Sequence, residues 1–135
     1  MKKLVVLLLL MFSSLCFEEF ESDALKIKLE KLKGTEEYNL GTFEEMKKEY
    51  VKEIIGAIKC AEYYDEENKQ RAVENFIKAD KEWDKYFAQQ SKLLDTVVSY
   101  RAGRIYWDMY SDFRKEMYIK RLEELAKLYD IMNQG

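Results

Sequence analysis

Residues 68–132 read NKQRAVENFIKADKEWDKYFAQQSKLLDTVVSYRAGRIYWDMYSDFRKEMYIKRLEELAKLYDIM. In the first half of this stretch Val73, Phe76, Trp83, Phe87, Leu94 and Val97 recur at steps built from three and four residues. After Gly103 the same period resumes with Tyr106, Tyr110, Phe113, Met117, Leu125, Leu128 and Met132. Such spacing stacks each set on one side of an α-helix, while Lys, Arg, Asp and Glu fill the remaining positions. The chain contains no proline, so nothing breaks either run. The pattern predicts two long helices, about Asn68–Tyr100 and Ile105–Met132, folded back on each other at Gly103. Glycine suits that turn because it accepts the positive φ of a helix C-cap. With a rise of 1.5 Å per residue, each arm should span about 40 Å or more.

Working back toward the N-terminus, Thr42 and Glu45 form a T-x-x-E capping box with Gly41 as a breaker in front of it. Phe43, Met46, Tyr50, Ile54, Ala57, Ile58 and Ala61 then make one apolar stripe. Asp65, Glu66 and Glu67 mark the turn into the next helix, where negative charge favours a first turn. They lack the alternating oxygen ligands and central glycine of a calcium loop. Further upstream, Glu19–Lys33 places Leu25, Leu29 and Leu32 on one face and is ended by Gly34. Helices striped in this way must bury their stripes against one another. The expected fold is therefore all-α: an antiparallel helical bundle with a long C-terminal helical hairpin.

The first residues speak to compartment. Lys2 and Lys3 precede an apolar run from Leu4 to Phe12, followed by Ser13, Ser14, Leu15 and Cys16 and then a strongly charged chain. This is the order of a secretory signal peptide, and the run to Phe17 falls short of the roughly 20 residues that a membrane span needs. Cleavage after Cys16 would put Ser14 and Cys16 at the two small positions of the site. The alternative is lipoprotein processing, with a lipid anchor at Cys16 and Leu15 standing where a smaller residue is usual. The expected divisions are a signal peptide over 1–16, an N-terminal helix and linker over 17–41, and one helical domain over 42–135. The protein would work outside the cytoplasm, in the periplasm or cell envelope or secreted, with no membrane span in the mature chain.

Loss of residues 1–16 would leave 21 basic against 26 acidic side chains, a net charge of −5. That balance argues against nucleic acid as a partner, which calls for a basic stripe. The chain has no histidine, which removes Ser–His and Cys–His catalysis, most zinc sites and the Glu-x-x-His pairs of di-iron bundles. No motif that carries a mechanism is present. The sequence thus predicts no enzyme, no catalytic or metal-binding residues and no cofactor. If Cys16 leaves or is lipidated, Cys60 stands alone, either as a small buried apolar residue or as a link between chains.

Three features of the C-terminal half stand together: Ala79, Trp83 and Tyr86 as A-x-x-x-W-x-x-Y, the turn Gly103-Arg104-Ile105, and Arg121, Leu122 and Leu125 as R-L-x-x-L. Their order and spacing resemble the lysozyme-inhibitor LprI-like (N-terminal domain) family, small helical domains of exported bacterial proteins. Met46-x-x-x-Tyr50 matches an earlier stretch of the family, and the likeness covers roughly Thr42 to Tyr129. The chain departs from the family at Ser91 and Asp112, where cysteines are frequent, at Tyr118, where threonine is preferred, and at Arg104, where serine usually follows the glycine. The resemblance implies an exported envelope binding protein that inhibits a lysozyme by occupying its cleft, with a protein partner and no chemistry of its own. The alternative is a structural or assembly module that self-associates or pairs with another envelope protein through its helical stripes.

Individual residues carry two readings. Trp83 is expected in the core. Arg121 lies at the edge of its stripe and must pair or extend its charged end to solvent; a structural ion pair is favoured over ligand recognition, with Asp80 the first candidate partner. Tyrosine suits both interfaces and bundle edges. The expected partner-binding residues are Tyr100, Arg101, Arg104 and Tyr106, at the end of two rigid helices where recognition often sits.

Overall fold

In the computed structural model the described residues are 22–35, 39–62, 65–100 and 104–133, with side chains from 106 onward in the last stretch. Residues 1–16, expected as a signal peptide, and Arg101 and Gly103 lie outside the described residues, as do the side chains of Arg104 and Ile105. Four helices account for the described chain: α1 (Ser22–Lys33), α2 (Leu40–Cys60), α3 (Glu66–Val98) and α4 (Arg104–Asn133), with no strand among the described residues. The fold is an all-α bundle.

α1 is short and buries Leu25 and Leu29. It stops where Gly34 and Thr35 donate their backbone N–H groups to the Lys31 and Leu32 carbonyls. It lies on α4, where Lys26 meets Asp130 at 2.9 Å and Lys33 meets Glu123 at 2.5 Å. These pairs are partly solvated and orient the helix more than they stabilise it.

α2 begins three residues before the expected T-x-x-E box. Asn39 is its N-cap, and the Asn39 side chain accepts the Thr42 N–H at 3.3 Å. An asparagine oxygen caps at least as well as threonine, so the earlier residue starts the helix. Gly41 then sits in an exposed first turn, where a Cβ would lie 3.4 Å from the capping Asn39 Oδ1, and does not break the helix. Downstream, Phe43, Met46, Tyr50, Ile54 and Ile58 are all buried, as the stripe predicted, and Lys47 is buried with them. Asp65 caps α3 by accepting the Asn68 N–H at 2.7 Å, which places the acidic pair Glu66 and Glu67 in the first turn.

The core forms where the α2 stripe meets Phe76 and Phe87 of α3 and Tyr118, Leu122, Leu125 and Ala126 of α4. α2 makes its most extensive contact with α4. At one end of this core Phe43 stacks on Tyr118 with ring centroids 5.9 Å apart, and Tyr118 meets Phe87 edge-on at 4.8 Å. α3 and α4 continue past this level as a two-helix arm, antiparallel throughout. Asp80 faces Arg121, Ser91 faces Arg114, and Asp95 faces Tyr106.

This geometry revises the two C-terminal stripes. Val97, Phe113 and Leu128 are exposed, whereas Val98, Tyr118, Leu122 and Ala126 are buried. The inward line of α4 runs Tyr118, Leu122, Leu125 and Tyr129, because α4 turns that side toward α2. Cys60, at the end of α2, is disulfide-bonded, so it is not the lone buried thiol that the sequence favoured. Cys16, the other cysteine of the chain, lies outside the described residues. No described helix is long and apolar enough to cross a membrane.

Candidate functional site

Of the residues that carried the family resemblance, Trp83, Tyr86 and Arg121 come together where α3 and α4 lie side by side. Trp83, one helical turn from Asp80, is half-buried. Its ring stacks on Phe87 at 5.3 Å and meets Tyr118 edge-on at 4.9 Å. Two cations approach the same indole: Lys47 Nζ at 5.5 Å from the ring centroid and the Arg121 guanidinium at 5.9 Å. Asp80 joins them. Its Oδ1 lies 2.8 Å from Lys47 Nζ and 3.7 Å from Arg121 Nη2. The Lys47, Asp80 and Arg121 side chains are 8%, 15% and 14% exposed, so their charges are largely withdrawn from water. Charges in that position hold one another or destabilise the fold. Arg121 therefore takes the carboxylate that the sequence pointed to. The closer partner of that carboxylate is Lys47, which sequence reasoning left out although it stands four residues after Phe43 on the buried stripe.

On one flank of this cluster a groove of about 270 Å³ opens between α3 and α4. Trp83, Tyr86, Phe113, Met117 and Arg121 line it, Glu116, Lys120 and Glu124 rim it, and no residue of α1 or α2 contributes. The family positions thus divide. Leu125 and Arg121 hold the core and its ion cluster, Trp83 bridges core and groove, and Tyr86 and Ala79 face solvent.

Toward the end of the arm the surface becomes apolar. Tyr100 is 88% exposed and Trp107 63%, and Leu93, Val97 and Met109 are each at least half exposed. Of the four expected partner-binding residues, Tyr100 stands free at the tip. Tyr106 does not: it is buried, and its hydroxyl is hydrogen-bonded to the Asp95 carboxylate. Its ring stacks on Tyr110 and meets Trp107 edge-on. Tyr106 therefore closes the arm from within, and its neighbour Trp107 is the exposed aromatic that the sequence analysis passed over. A step of one residue on a helix turns a side chain by about 100°, enough to exchange inside for outside.

The bond to Asp95, with burial second, pushes the Tyr106 phenol up to about 12. Burial, with the Asp130 carboxylate second, pushes Tyr50 up to about 12 as well. A phenol whose pKa rises on folding stabilises the fold below its ordinary range near 10, and that contribution is lost as pH climbs through the raised value. Stability should be level on this account up to about pH 10 and fall between about 10 and 12. Melting temperatures taken across that window test the sign. Tyr106→Phe should shrink the alkaline loss, and an unchanged loss would break the assignment.

Among the described residues no three potential ligands come together as a metal site. The arrangement offers recognition surfaces: a groove with one arginine, and an arm whose tip displays aromatic side chains. Comparison with family models, with curated proteins and with solved structures finds no match to this chain.

Proposed function

We propose that this protein is an exported helical binding protein that docks a protein partner with the tip of its α3–α4 arm. The observation that carries the reading is the exposure of Tyr100 and Trp107 at the end of two helices rooted in a packed core. Aromatic side chains on a rigid support make strong anchors because little conformational freedom remains to be lost on binding. Such a surface transforms no substrate; it fills a partner's cleft. The partner that the family resemblance implies is a lysozyme. A basic lysozyme would be drawn to a chain carrying 26 acidic against 23 basic residues, and opposite fields speed encounter. In the sequence Arg101 and Arg104 stand between Tyr100 and Trp107, and arginine suits carboxylates in such a cleft.

A lysis assay at low and moderate salt tests the reading. The protein should slow lysis, with the effect weakening as salt rises. Tyr100→Ala and Trp107→Ala should each reduce inhibition by about 10-fold or more, as loss of an anchor does. Absence of inhibition at any salt, with folded protein in large excess and several lysozyme classes tried, would remove the lysozyme as partner.

A further inference from the structure

The groove side of the arm carries a second apolar seam that the single chain leaves uncovered. From Tyr86, alternating steps of four and three reach Gln90, Leu93, Val97 and Tyr100. Tyr86, Leu93, Val97 and Tyr100 are each more than half exposed. This is the a/d spacing of a helix that packs against another helix. Gln90 and Val97 occupy a positions, and Tyr86, Leu93 and Tyr100 occupy d. One residue further on, Phe87, Ser91, Leu94 and Val98 form the separate inner line, buried or half-buried, and Ser91 bonds to Arg114 of α4. Over this length α3 thus presents two adjoining packing lines and has one neighbour to fill them. Across the groove, Phe113 faces the same side as Tyr86, and Met109, four residues nearer the tip, continues it as a half-exposed side chain.

We propose that a second copy of this chain covers the seam, the two arms pairing about a two-fold axis parallel to their length. Each α3 seam then lies on the Met109–Phe113 side of the other copy's α4, and four helices close a bundle around the apolar side chains. Area supports this. Fully covered, the exposed parts of the seam and of Met109 and Phe113 would bury at most on the order of 800 Å² per copy, the size of a specific interface. Charge selects both partner and orientation. One residue before the seam, on the outer edge of α3, stand Lys85 and Lys92. One residue before Met109, Phe113 and Met117, on the outer edge of α4, stand Asp108, Asp112 and Glu116, all exposed. An axis parallel to the arm sets the lysine edge of one copy against the acidic edge of the other, with Lys92 near the level of Asp112 of the second copy. An axis across the arm would set lysine against lysine.

Tyr100 belongs to both surfaces, but Leu93 and Val97 belong to the seam alone and Trp107 to the tip alone, so changes at those residues let the pairing and the docking role fail separately. Sedimentation equilibrium of the purified protein over a concentration series tests the pairing. The protein should dimerise in the micromolar range. Leu93→Glu with Val97→Glu should weaken the dimer at least 100-fold at unchanged helicity, whereas Ile131→Glu, on an exposed residue away from the arm, should not. Lys92→Glu should also weaken it, and adding Asp112→Lys should restore it. Within one chain these two residues sit on opposite outer edges, so restoration requires a second copy. A folded monomer at every concentration, or a dimer indifferent to the Leu93 and Val97 changes, would overturn the proposal. Failure of the charge reversal to restore pairing would overturn the two-fold arrangement.

Discussion

Replacing Asp80 with alanine should lower stability by about 3 kcal/mol, read as a shift in urea midpoint at constant slope. The carboxylate stands between Lys47 at 2.8 Å and Arg121 at 3.7 Å, with all three side chains at least 85% buried. Removing it leaves two withdrawn positive charges facing each other over the Trp83 ring. Each has a second acid within reach: Lys47 has Asp84 at 3.0 Å and Arg121 has Glu124 at 3.4 Å. Those acids are more than half exposed and replace little of the lost partner, so the cost should fall near the lower end for a broken buried pair. Asp84→Ala, by contrast, should cost less than about 1 kcal/mol. A double-mutant cycle should find stronger coupling of Asp80 to Lys47 than to Arg121, following the two distances. Equal and small losses for Asp80 and Asp84 would mean that the cluster is solvated and does not hold the bundle.

Leu122→Ala should cost about 3 kcal/mol, and Leu128→Ala less than about 1 kcal/mol. Both leucines lie on α4, and the apolar period of the sequence favoured Leu128. In the folded chain Leu122 has no exposed surface, sits among the buried side chains of α2 and α4, and is one of the largest fully enclosed residues. Leu128 is 37% exposed. Truncating Leu122 loses the transfer energy of its side chain and leaves a cavity that a four-helix core cannot fully collapse. In a domain of this size the difference amounts to roughly 10 °C in melting temperature. Similar losses at both positions would show that α4 is rotated from the orientation described here.

The helices themselves were legible because their signals are local. Leu25 and Leu29, the α2 stripe from Phe43 to Ile58, the acidic start of α3 and the capping side chain of Asp65 all act within a few residues. The start of α2 was read late because Thr42 and Asn39 both suit a cap, and the choice between them is a small difference in energy. The candidate site was legible in part. Trp83 and Arg121 were singled out by spacing, and Asp80 as the carboxylate for Arg121. Lys47 was not, since a lysine on an apolar stripe gives no hint that it will be buried until the opposing acid is placed. Tyr106, expected to bind a partner, is buried while Trp107 beside it is exposed, for a similar reason. Adjacent positions differ by a rotation whose outcome depends on where the neighbouring helix lies.

That the chain is helical, that its described helices are amphipathic and that the last two are long can be read from local pattern, because periodicity, capping and the absence of proline are properties of consecutive residues. Which line of each long helix faces inward depends on how the helices pack. α2 covers α3 and α4 only as far as Phe87 and Tyr118, so beyond that level the same apolar composition meets one neighbour in place of two. An apolar side chain at the right period is thereby buried at Leu125 and exposed at Val97. Burial depends on the reach and rotation of a helix far away in the chain, and no local pattern carries that information.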